Sequence, residues 1–272
     1  MNFSIVIPNY NGEAFLNDCL KSINISDKLC PNNKIEIIIV DNGSKIPPKQ
    51  TSIRLKENKG FGYAVNAGVK KAKYKYIVVM NNDLTIDKFW FKNISKAIEE
   101  NPLYACYYGL VLNKDGTKIE SEGFKYLMSG KAININNNHP YFGNCLLEIG
   151  NSEIWGAPAS LIIYKKEIYD KLKGFDASFF AYIEDVDLAY RLAKNNYKTL
   201  YIPSAISYHL GGGTSSKMGY LREWLSFRNW IKLINKNYTL SQKIIYFIPI
   251  IGQRLRNLKY LLVKLVTYDH RH

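Results

Sequence analysis

Runs of apolar residues alternate with amphipathic stretches along the first hundred residues of the chain. The runs at 35–40 and 76–80 are apolar at almost every position, which is typical of strands buried on both faces of a parallel sheet. Between these runs, apolar residues recur every three or four positions, which indicates helices packed against that sheet. Strands are therefore predicted over 5–7, 35–40, 53–55 and 76–80, and helices over 16–23, 64–72 and 86–100. This alternation predicts an α/β fold with a mostly parallel central sheet.

The remainder of the chain is less regular. Asp115-Gly116 is typical of a hairpin turn. In the last helical stretch, Pro249 and Gly252 are expected to break or kink the helix, because proline lacks the amide hydrogen that a helix interior needs. The other predictions are strands over 104–112, 155–164 and 198–202, an exposed loop over 134–139, and helices over 217–236 and 241–266.

Positive charge is concentrated in the last fifth of the chain. The 272 residues carry a formal net charge of +14, and residues 217–272 contribute +9 of it. A basic segment attracts nucleic acid, anionic lipid or a phosphate-bearing substrate, but no nucleic-acid-binding motif accompanies this one. We therefore expect one large domain over 1–215, a basic amphipathic helical extension over 216–272, and no nucleic-acid partner. Residues 241–266 are suited to an anionic membrane surface, to packing on the domain, or to a homodimer interface.

The sequence argues against a zinc- or disulfide-stabilised protein, a protein with a signal peptide and a protein that spans the membrane. The four cysteines form no Cys-x-x-Cys pair, which argues against a zinc site and a disulfide framework and fits a reducing compartment. Residues 3–7 are too short an apolar run for a signal peptide. No apolar run reaches the roughly 18 residues that a membrane span requires. We expect a cytoplasmic protein that is peripheral at the inner face of the membrane or soluble.

The segment Glu184-Asp185-Val186-Asp187 carries three carboxylates within four positions, between apolar and aromatic neighbours. Burial and like charge both raise carboxylate pKa values, so one of these groups is suited to act as a general base near neutral pH. The same residues also fit the first turn of a helix, where acidic side chains complement the helix dipole. Asp187 precedes Arg191 by one helical turn, so it is alternatively an ion-pair partner.

Polar residues follow the predicted strands where a binding crevice of a parallel sheet is expected. Asp41 ends the second strand, and a carboxylate there can accept a hydrogen bond from the imide N–H of uracil or thymine. Asp83 follows the fourth strand and, with His209, offers ligands for Mg²⁺ or Mn²⁺. Gly60 opens a glycine-rich helix start that lacks the third glycine of a dinucleotide motif but suits a phosphate- or ribose-bearing ligand. A turn, a helix cap and a structural histidine are the simpler interpretations.

In their order along the chain, these motifs resemble those of glycosyltransferase family 2. The resemblance covers about residues 3–215, and it is closest in motif style to bacterial rhamnosyltransferases and related galactofuranosyltransferases of surface-polysaccharide assembly. It implies a GT-A fold, a Rossmann-like architecture for nucleotide-diphospho-sugar transferases. The motifs are Asn9-Tyr10-Asn11-Gly12, Asp41-Asn42-Gly43-Ser44, Asn58-Lys59-Gly60-Phe61-Gly62, Asn81-Asn82-Asp83, Gly174-Phe175-Asp176 with Glu184-Asp185-x-Asp187, and His209.

The resemblance also implies roles for individual residues. Asp185 would be the catalytic base, and Asp83 and His209 would bind the metal. Asn81 stands where the family has the first Asp of its Asp-x-Asp metal motif, which removes one negative charge. The donor nucleotide would be bound by Pro8, Asn9, Tyr10, Asp41, Gly60 and Asn82, and the acceptor by Trp155, Gly156 and Glu184.

The activity that the resemblance implies is inverting, metal-dependent transfer of a sugar from a dTDP- or UDP-activated donor, with dTDP-L-rhamnose as the first expectation. The acceptor would be a saccharide or a lipid-linked saccharide. Without a metal, the diphosphate would need basic groups, for which Lys217, Arg222 and Arg228 are the nearest in sequence. The alternatives are a sugar nucleotidyltransferase, which would carry a basic glycine-rich loop after its first strand, and a non-catalytic nucleotide-sugar-binding or membrane-scaffold protein.

Overall fold

The computed structural model describes residues 1–143, 150–211 and 219–269, without the side chains of 264 and 266–269. Lys217, proposed above as a contact for the diphosphate, lies outside the described residues. The helices are α1 Glu13–Lys28, α2 Phe61–Lys71, α3 Trp90–Glu100, α4 Lys166–Lys171, α5 Glu184–Lys194, α6 Gly219–Asn237, α7 Leu240–Ile245 and α8 Phe247–Asp269. The strands are β1 Asn2–Asn9, β2 Lys34–Asp41, β3 Ile53–Arg54, β4 Tyr76–Met80, β5 Leu84–Ile86, β6 Cys106–Asn113, β7 Ile119–Ser121, β8 Phe124–Tyr126, β9 Ala132–Asn134, β10 Ser152–Ile154, β11 Leu161–Lys165 and β12 Thr199–His209.

One large mixed sheet forms the centre of the described structure. Its main order is β10-β12-β6-β11-β4-β1-β2-β3, and β5 and β7 pair with β12 and β6. The pairs β4–β1, β1–β2, β2–β3 and β12–β6 are parallel, whereas β11 is antiparallel to both of its neighbours. β8 and β9 form a separate hairpin. The predicted α/β fold with a mostly parallel central sheet is therefore confirmed.

The centre of the sheet is buried because helices cover it. Every residue of β4 and almost every residue of β1 is buried. Trp90 and Phe91 at the start of α3 pack edge to face with ring centroids 5.0 Å apart, and Phe91 also contacts Phe3 of β1. Burial of such rings contributes most of the stabilisation that holds helix to sheet.

Several element boundaries differ from the sequence prediction, and three of the differences have a clear physical reason. The strand expected over 155–164 divides into β10 and β11, because Gly156 and Pro158 lie in an irregular connection between them. The helix expected from residue 86 begins at Trp90, since Leu84–Ile86 pairs with β12 as β5. The break in the last helix lies at Tyr246 rather than at Pro249. Pro249 is the third residue of α8, where a helix needs no amide hydrogen from it, and α8 continues through Gly252.

The helical extension divides into a buried helix and a largely exposed pair. α6 packs against α5, and Leu225, Asn229 and Leu233 of α6 are buried. α8 packs along α6, but no residue of α7 is buried and apolar side chains on both α7 and α8 are exposed. In the described part of the chain, no helix combines the length and the hydropathy that crossing a bilayer requires.

Candidate active site

The carboxyl ends of β1, β2 and β4 meet at one edge of the sheet, and the polar residues predicted there come together. β1 lies between β2 and β4 in parallel register, with Asn9 paired to Asp41 across the β1–β2 ladder. Asn82, just beyond β4, donates a hydrogen bond from Nδ2 to Asn9 Oδ1 at 2.6 Å. Asn9 and Asp41 are buried. Three strands that are distant in sequence therefore contribute to one polar cluster.

Asp41 and Asn9 each retain one buried polar atom without a hydrogen-bond partner among the described residues. Asp41 Oδ1 accepts from the backbone N–H of Ser44 at 3.3 Å, whereas Oδ2 accepts no hydrogen bond and lies 3.7 Å from Nε of the exposed Arg54. Asn9 Oδ1 accepts from Asn82, but Asn9 Nδ2 has no acceptor. Buried polar atoms are nearly always paired in folded proteins. Asp41 Oδ2 and Asn9 Nδ2, on adjacent strands, therefore remain available to a ligand.

The loop before α2 is fixed close to this cluster. Asn42 Nδ2 donates to the carbonyl oxygen of Gly60 at 3.2 Å. Gly60 has a φ of +88°, and a Cβ at this position would lie 2.2 Å from the carbonyl oxygen of Phe180, so only glycine fits. Pro8 and Tyr10 are half-buried at the end of β1. The six residues predicted to bind the donor thus lie along one sheet edge, and their contact with a nucleotide stays a prediction.

Asp83 and His209 are in direct contact, and a third residue completes the group. His209 Nε2 lies 3.3 Å from Asp83 Oδ2, and His209 Nδ1 lies 2.6 Å from Glu120 Oε1. Glu120 belongs to β7, which pairs with β6 next to the end of β12. Burial lowers the pKa of His209, but hydrogen bonds to Asp83 and Glu120 and their negative charges outweigh it and raise the pKa to about 10. The two carboxylates therefore favour positive charge at this position, whether it is carried by the protonated ring of His209 or by a metal ion.

The donor set at Asp83 and His209 fits a divalent cation that also binds a diphosphate. Metal-bound histidines usually donate their second ring N–H to a carboxylate, and Glu120 is placed to receive it from Nδ1, which leaves Nε2 toward Asp83. Mg²⁺ commonly uses one or two protein ligands and takes the others from phosphate and water. Among the described residues, no group of three or more His, Cys, Asp and Glu side chains is arranged to hold a metal ion alone.

The loop that leads into α5 is strained. Phe180, Tyr182 and Ile183 have φ values of 68°, 68° and 75°, a region that residues with a Cβ seldom occupy. Asn229 of α6, which is fully buried, holds this loop: its Nδ2 lies 2.9, 2.8 and 2.8 Å from the carbonyl oxygens of Phe179, Ala181 and Tyr182. One amide group with two hydrogens is thus shared among three carbonyls.

Immediately after this loop, the buried Glu184 and the half-buried Asp185 form a carboxylate pair at the first turn of α5. Asp185 Oδ2 accepts from the backbone N–H of Ala159 at 3.3 Å, and Oδ1 accepts from that of Val186 at 2.8 Å. Burial raises the pKa of Asp185 above its ordinary value despite these hydrogen bonds. Burial, and secondarily the charge of Asp185, raises the pKa of Glu184 to about 8. Glu184 Oε2 is buried without a partner in the described structure.

Asp187, one position beyond, has a different environment. Its Oδ2 lies 2.8 Å from Arg191 Nη2 and 2.9 Å from Lys236 Nζ, and Asn237 Nδ2 donates to Oδ1 at 2.9 Å. The expected pairing of Asp187 with Arg191 is present, together with two contacts from α6. Since every oxygen of Asp187 is occupied, this carboxylate fixes α6 on α5 and leaves base chemistry to its neighbours.

The segment predicted to border the acceptor lies against α5. Trp155 stacks on Tyr126 of the β8–β9 hairpin, with ring centroids 4.3 Å apart and planes 12° from parallel. A Cβ at Gly156 would lie 2.6 Å from Cβ of Ala189, so glycine allows the connection to approach α5. Ala159 of the same connection donates its N–H to Asp185. Trp155, Gly156, Glu184 and Asp185 are thus brought together, and their contact with an acceptor stays a prediction.

Comparison with known proteins identifies the family. The profile of glycosyl transferase family 2 matches residues 4–173, which is more than half of the chain. The chain belongs to glycosyltransferase family 2. This match contains Asn9, Asp41 and Asp83, whereas Asp185 and His209 lie beyond it.

Two curated relatives share short stretches with this glycosyltransferase family 2 chain. An uncharacterized glycosyltransferase of Bacillus subtilis, EpsJ, is 29% identical over 114 residues, which is 37% of this chain and 31% of EpsJ. An N-acetylglucosaminyl-diphospho-decaprenol L-rhamnosyltransferase of Mycobacterium tuberculosis is 33% identical over 63 residues, which is 23% of this chain and 20% of the relative. The chain thus spans less than a third of the length of either relative.

A solved structure establishes the fold over most of the chain. The crystal structure of GalNAc-T7 with UDP, GalNAc and Mn²⁺ superposes with a TM-score of 0.62 and 14% identity, covering 86% of this chain and 48% of that one. At this identity the likeness concerns the fold, and it confirms the expected GT-A fold.

Four residues that shape the site were not anticipated from the sequence. Glu120 stands in a short strand of mixed character, and nothing in its surroundings marks it as a partner of His209. Asn229 lies in the middle of an amphipathic helix, 47 to 50 positions from the carbonyls that it contacts. Lys236 and Asn237 reach Asp187 over a similar distance in sequence. A polar residue on the apolar face of α6 is the one signal that could have pointed to Asn229.

Proposed function

We propose that this protein is an inverting, metal-dependent glycosyltransferase that uses a dTDP- or UDP-activated sugar. The observation that carries the proposal is the carboxylate pair of buried Glu184 and half-buried Asp185 at the amino end of α5, beside the connection that contains Trp155. Burial without a counter-ion gives a carboxylate the raised pKa that a general base needs at neutral pH.

Asp185 is the base in this proposal. Burial, and secondarily the charge of Asp185, raises the pKa of Glu184, so the pair favours a single negative charge at neutral pH, and the proposal assigns this charge to Asp185. Asp185 takes the proton from an acceptor hydroxyl group, and that oxygen forms a bond to C1 of the donor sugar. The bond from C1 to the diphosphate oxygen breaks on the opposite face, so the configuration at C1 inverts. Glu184 contributes to acceptor binding.

The free polar atoms of Asp41 and Asn9 support a pyrimidine as the donor base. The ring of uracil or thymine presents an N3–H donor flanked by carbonyl oxygens. Asp41 Oδ2 would accept from N3–H, and Asn9 Nδ2 would donate to a neighbouring carbonyl. This arrangement supports UDP and dTDP over GDP, whose guanine presents a different edge.

Asp83 and His209 would hold a divalent cation in this protein. Bound Mg²⁺ or Mn²⁺ supplies positive charge that stabilises the leaving nucleoside diphosphate. Asn81 is uncharged, so Asp83 is the sole carboxylate of the Asn81-Asn82-Asp83 motif, and Glu120 orients His209. The structure of GalNAc-T7 contains UDP and Mn²⁺ together, which supports the same combination here.

The acceptor in this proposal is a saccharide or lipid-linked saccharide of surface-polysaccharide synthesis, and dTDP-L-rhamnose is the first donor to test. The M. tuberculosis relative, an L-rhamnosyltransferase for a diphospho-decaprenol saccharide, supports both.

The exposed apolar side chains Ile244, Phe247 and Ile248 lie on a basic segment, which supports peripheral contact with an anionic membrane. Truncation after Lys236 should then abolish flotation with phosphatidylglycerol vesicles. Intact donor binding by the truncated chain is expected, and flotation of neither protein would reject the membrane contact.

The test of the activity is donor hydrolysis and transfer with a panel of nucleotide sugars. EDTA should abolish both reactions, and Mn²⁺ or Mg²⁺ should restore them. In a thermal-shift assay, UDP or dTDP at 100 times its dissociation constant should stabilise the protein by about 2.7 kcal/mol. Full activity in EDTA would refute metal dependence, and a larger thermal shift with GDP than with either pyrimidine nucleotide would refute the donor assignment.

A further inference from the structure

Arg254 of α8 differs from the other partly buried arginines of the described structure. Arg191 donates to Asp187 and to two backbone carbonyls, and Arg228 donates to Asn229 and to the carbonyl of Phe179. The Nε and both Nη atoms of Arg254 are buried, and none has a hydrogen-bond acceptor among the described residues. The guanidinium carbon lies 5.5 Å from the centre of the Trp230 ring.

The surroundings of Arg254 are aromatic and uncharged in the described structure. The phenol groups of Tyr126 and Tyr238 are its polar neighbours, and burial lowers the pKa of Arg254 to about 10, so it remains charged at neutral pH. An aromatic ring face stabilises a cation less than a hydrogen-bonded anion does. A buried charge without a counter-ion is costly, and proteins seldom retain one that has no partner. The guanidinium group of Arg254 therefore lacks an anionic partner where it lies, and a turn of its side chain toward a bound anion would supply one.

The group lies on the acceptor side of the site. Tyr126, one of the two phenols beside Arg254, stacks on Trp155 and contacts Tyr190 of α5 with ring centroids 5.7 Å apart. Arg254 is therefore separated by a single aromatic ring from the segment that approaches Asp185. On the same helix, Ile248 and Leu255 are 81% and 61% exposed, which leaves an apolar surface beside the cation.

We infer that Arg254 binds a phosphate group of a lipid-linked acceptor, whose hydrocarbon chain lies along the exposed apolar side chains of α7 and α8. The planar guanidinium group can donate two parallel N–H bonds to phosphate oxygens. Its long side chain would turn from beneath Trp230 to reach the ligand. The inference rests on the proposed function in one respect, namely that the acceptor carries a lipid diphosphate.

The test uses the full chain, farnesyl diphosphate as the probe, and calorimetry with tryptophan fluorescence as the readouts. Arg254→Gln should weaken binding roughly 10- to 100-fold, the range for losing charge-assisted hydrogen bonds. Arg256→Gln is the matched control, because Arg256 is exposed two positions later and loses the same charge. The control should bind within about twofold of the wild type. Equal loss in both variants would overturn the inference, since it would indicate general attraction of the basic helix.

Two further binding measurements distinguish a soluble diphosphate from the lipid head groups of a membrane as the source of the phosphate. Inorganic pyrophosphate should bind more weakly than farnesyl diphosphate but show the same dependence on Arg254. Vesicles of phosphatidylglycerol should bind both variants alike, since lipid head groups meet the exposed charges. If instead Arg254→Gln impairs vesicle binding alone and leaves farnesyl diphosphate unaffected, the ligand is the bilayer surface and the inference fails.

Stability distinguishes a binding role from a structural one. Arg254→Met removes an unpaired buried charge at similar volume, so the melting temperature should stay equal or rise. A lower melting temperature with unchanged probe binding would assign Arg254 to packing alone and overturn the inference. Binding of farnesyl diphosphate is measured without a nucleotide sugar, so the result can be interpreted even if the protein does not transfer sugar. Conversely, a protein that does not bind farnesyl diphosphate can still be tested for sugar transfer.

Discussion

The donor side and the acceptor side of the site are built in different ways. On the donor side, Asn9 and Asp41 stand at paired positions of adjacent strands, so the sheet itself determines where they lie. On the acceptor side, Asp185 follows a loop with three residues at positive φ, which Asn229 holds from a helix about 50 positions later. Strand ends are positioned by the backbone ladder of the sheet, whereas this loop relies on side-chain donors of α6, Asn229 and Arg228, in addition to backbone hydrogen bonds. The donor side should therefore tolerate changes in the helical extension that disable the acceptor side.

The largest expected effect separates chemistry from donor binding. Asp185→Asn retains the shape of the side chain and removes the base, so transfer should fall roughly 10²- to 10⁴-fold. Affinity for UDP or dTDP, measured by calorimetry, should stay within about twofold. Asp18→Asn, on the exposed face of α1, is the matched control and should leave both unchanged. Wild-type turnover by a folded Asp185→Asn protein would exclude the base role.

The next effect concerns the contact between α6 and the strained loop. Asn229→Ala removes a hydrogen-bond donor from partly buried carbonyl oxygens of the loop, which costs about 1–3 kcal/mol for each oxygen that loses its donor. Displacement of Asp185 by as little as 1 Å should lower transfer about 10²-fold. Donor affinity should be unaffected.

The control for this change is Asn235→Ala, an exposed asparagine of the same helix. If Asn229→Ala weakened donor binding as strongly as it lowered transfer, the conclusion that the two sides are held independently would be wrong, because the loop would then support the strand ends as well.

A smaller effect is expected on the donor side. Asp41→Ala removes the acceptor for N3–H and should weaken binding of UDP or dTDP by about 1.5–3 kcal/mol, the range for a hydrogen bond to a charged group. The weak binding of GDP serves as the internal control, since guanine makes no use of this contact. Equal weakening of UDP and GDP in calorimetry would show that the substitution had damaged the fold instead.

The smallest effect is on stability as a function of pH. In the folded protein the pKa of Glu184 is raised from its ordinary value of 4.5 to about 8. The folded state therefore favours protonated Glu184, and the free energy of unfolding falls as the pH rises from about 4.5 to about 8. Glu184→Gln should thus raise the melting temperature above pH 8, relative to wild type, by about 2–4 °C for each kcal/mol gained. Below pH 5 the two proteins should be similar.

Glu167→Gln, at an exposed position of α4, should show no such dependence on pH. A difference between Glu184→Gln and wild type that is constant from pH 5 to pH 9 would contradict the raised pKa.

Sequence patterns predicted the buried strands and the polar residues at their ends well, because this information is local. Continuous apolar runs marked the buried strands, and the polar residues that end them, such as Asp41 and Asp83, are adjacent in sequence to those runs. The acceptor side was predicted only in part, since Asn229 and Glu120 act on residues that are distant in the chain. The break at Tyr246 was missed because the tolerance of a helix for proline depends on where its first turn begins.

The pairing of Asn9 with Asp41 also constrains how the preference for a nucleotide base can change. Neighbouring strands in a sheet lie about 4.8 Å apart, so the backbone fixes the spacing of the two side chains that would bind the ring of the base. Insertions or deletions in the loops at this edge leave that spacing unchanged, since loops vary more readily than the strands that they connect. If Asn9 and Asp41 bind the base as proposed, variation in the sugar and the acceptor can accumulate in loops, while a change of base would require replacement of one of these two side chains.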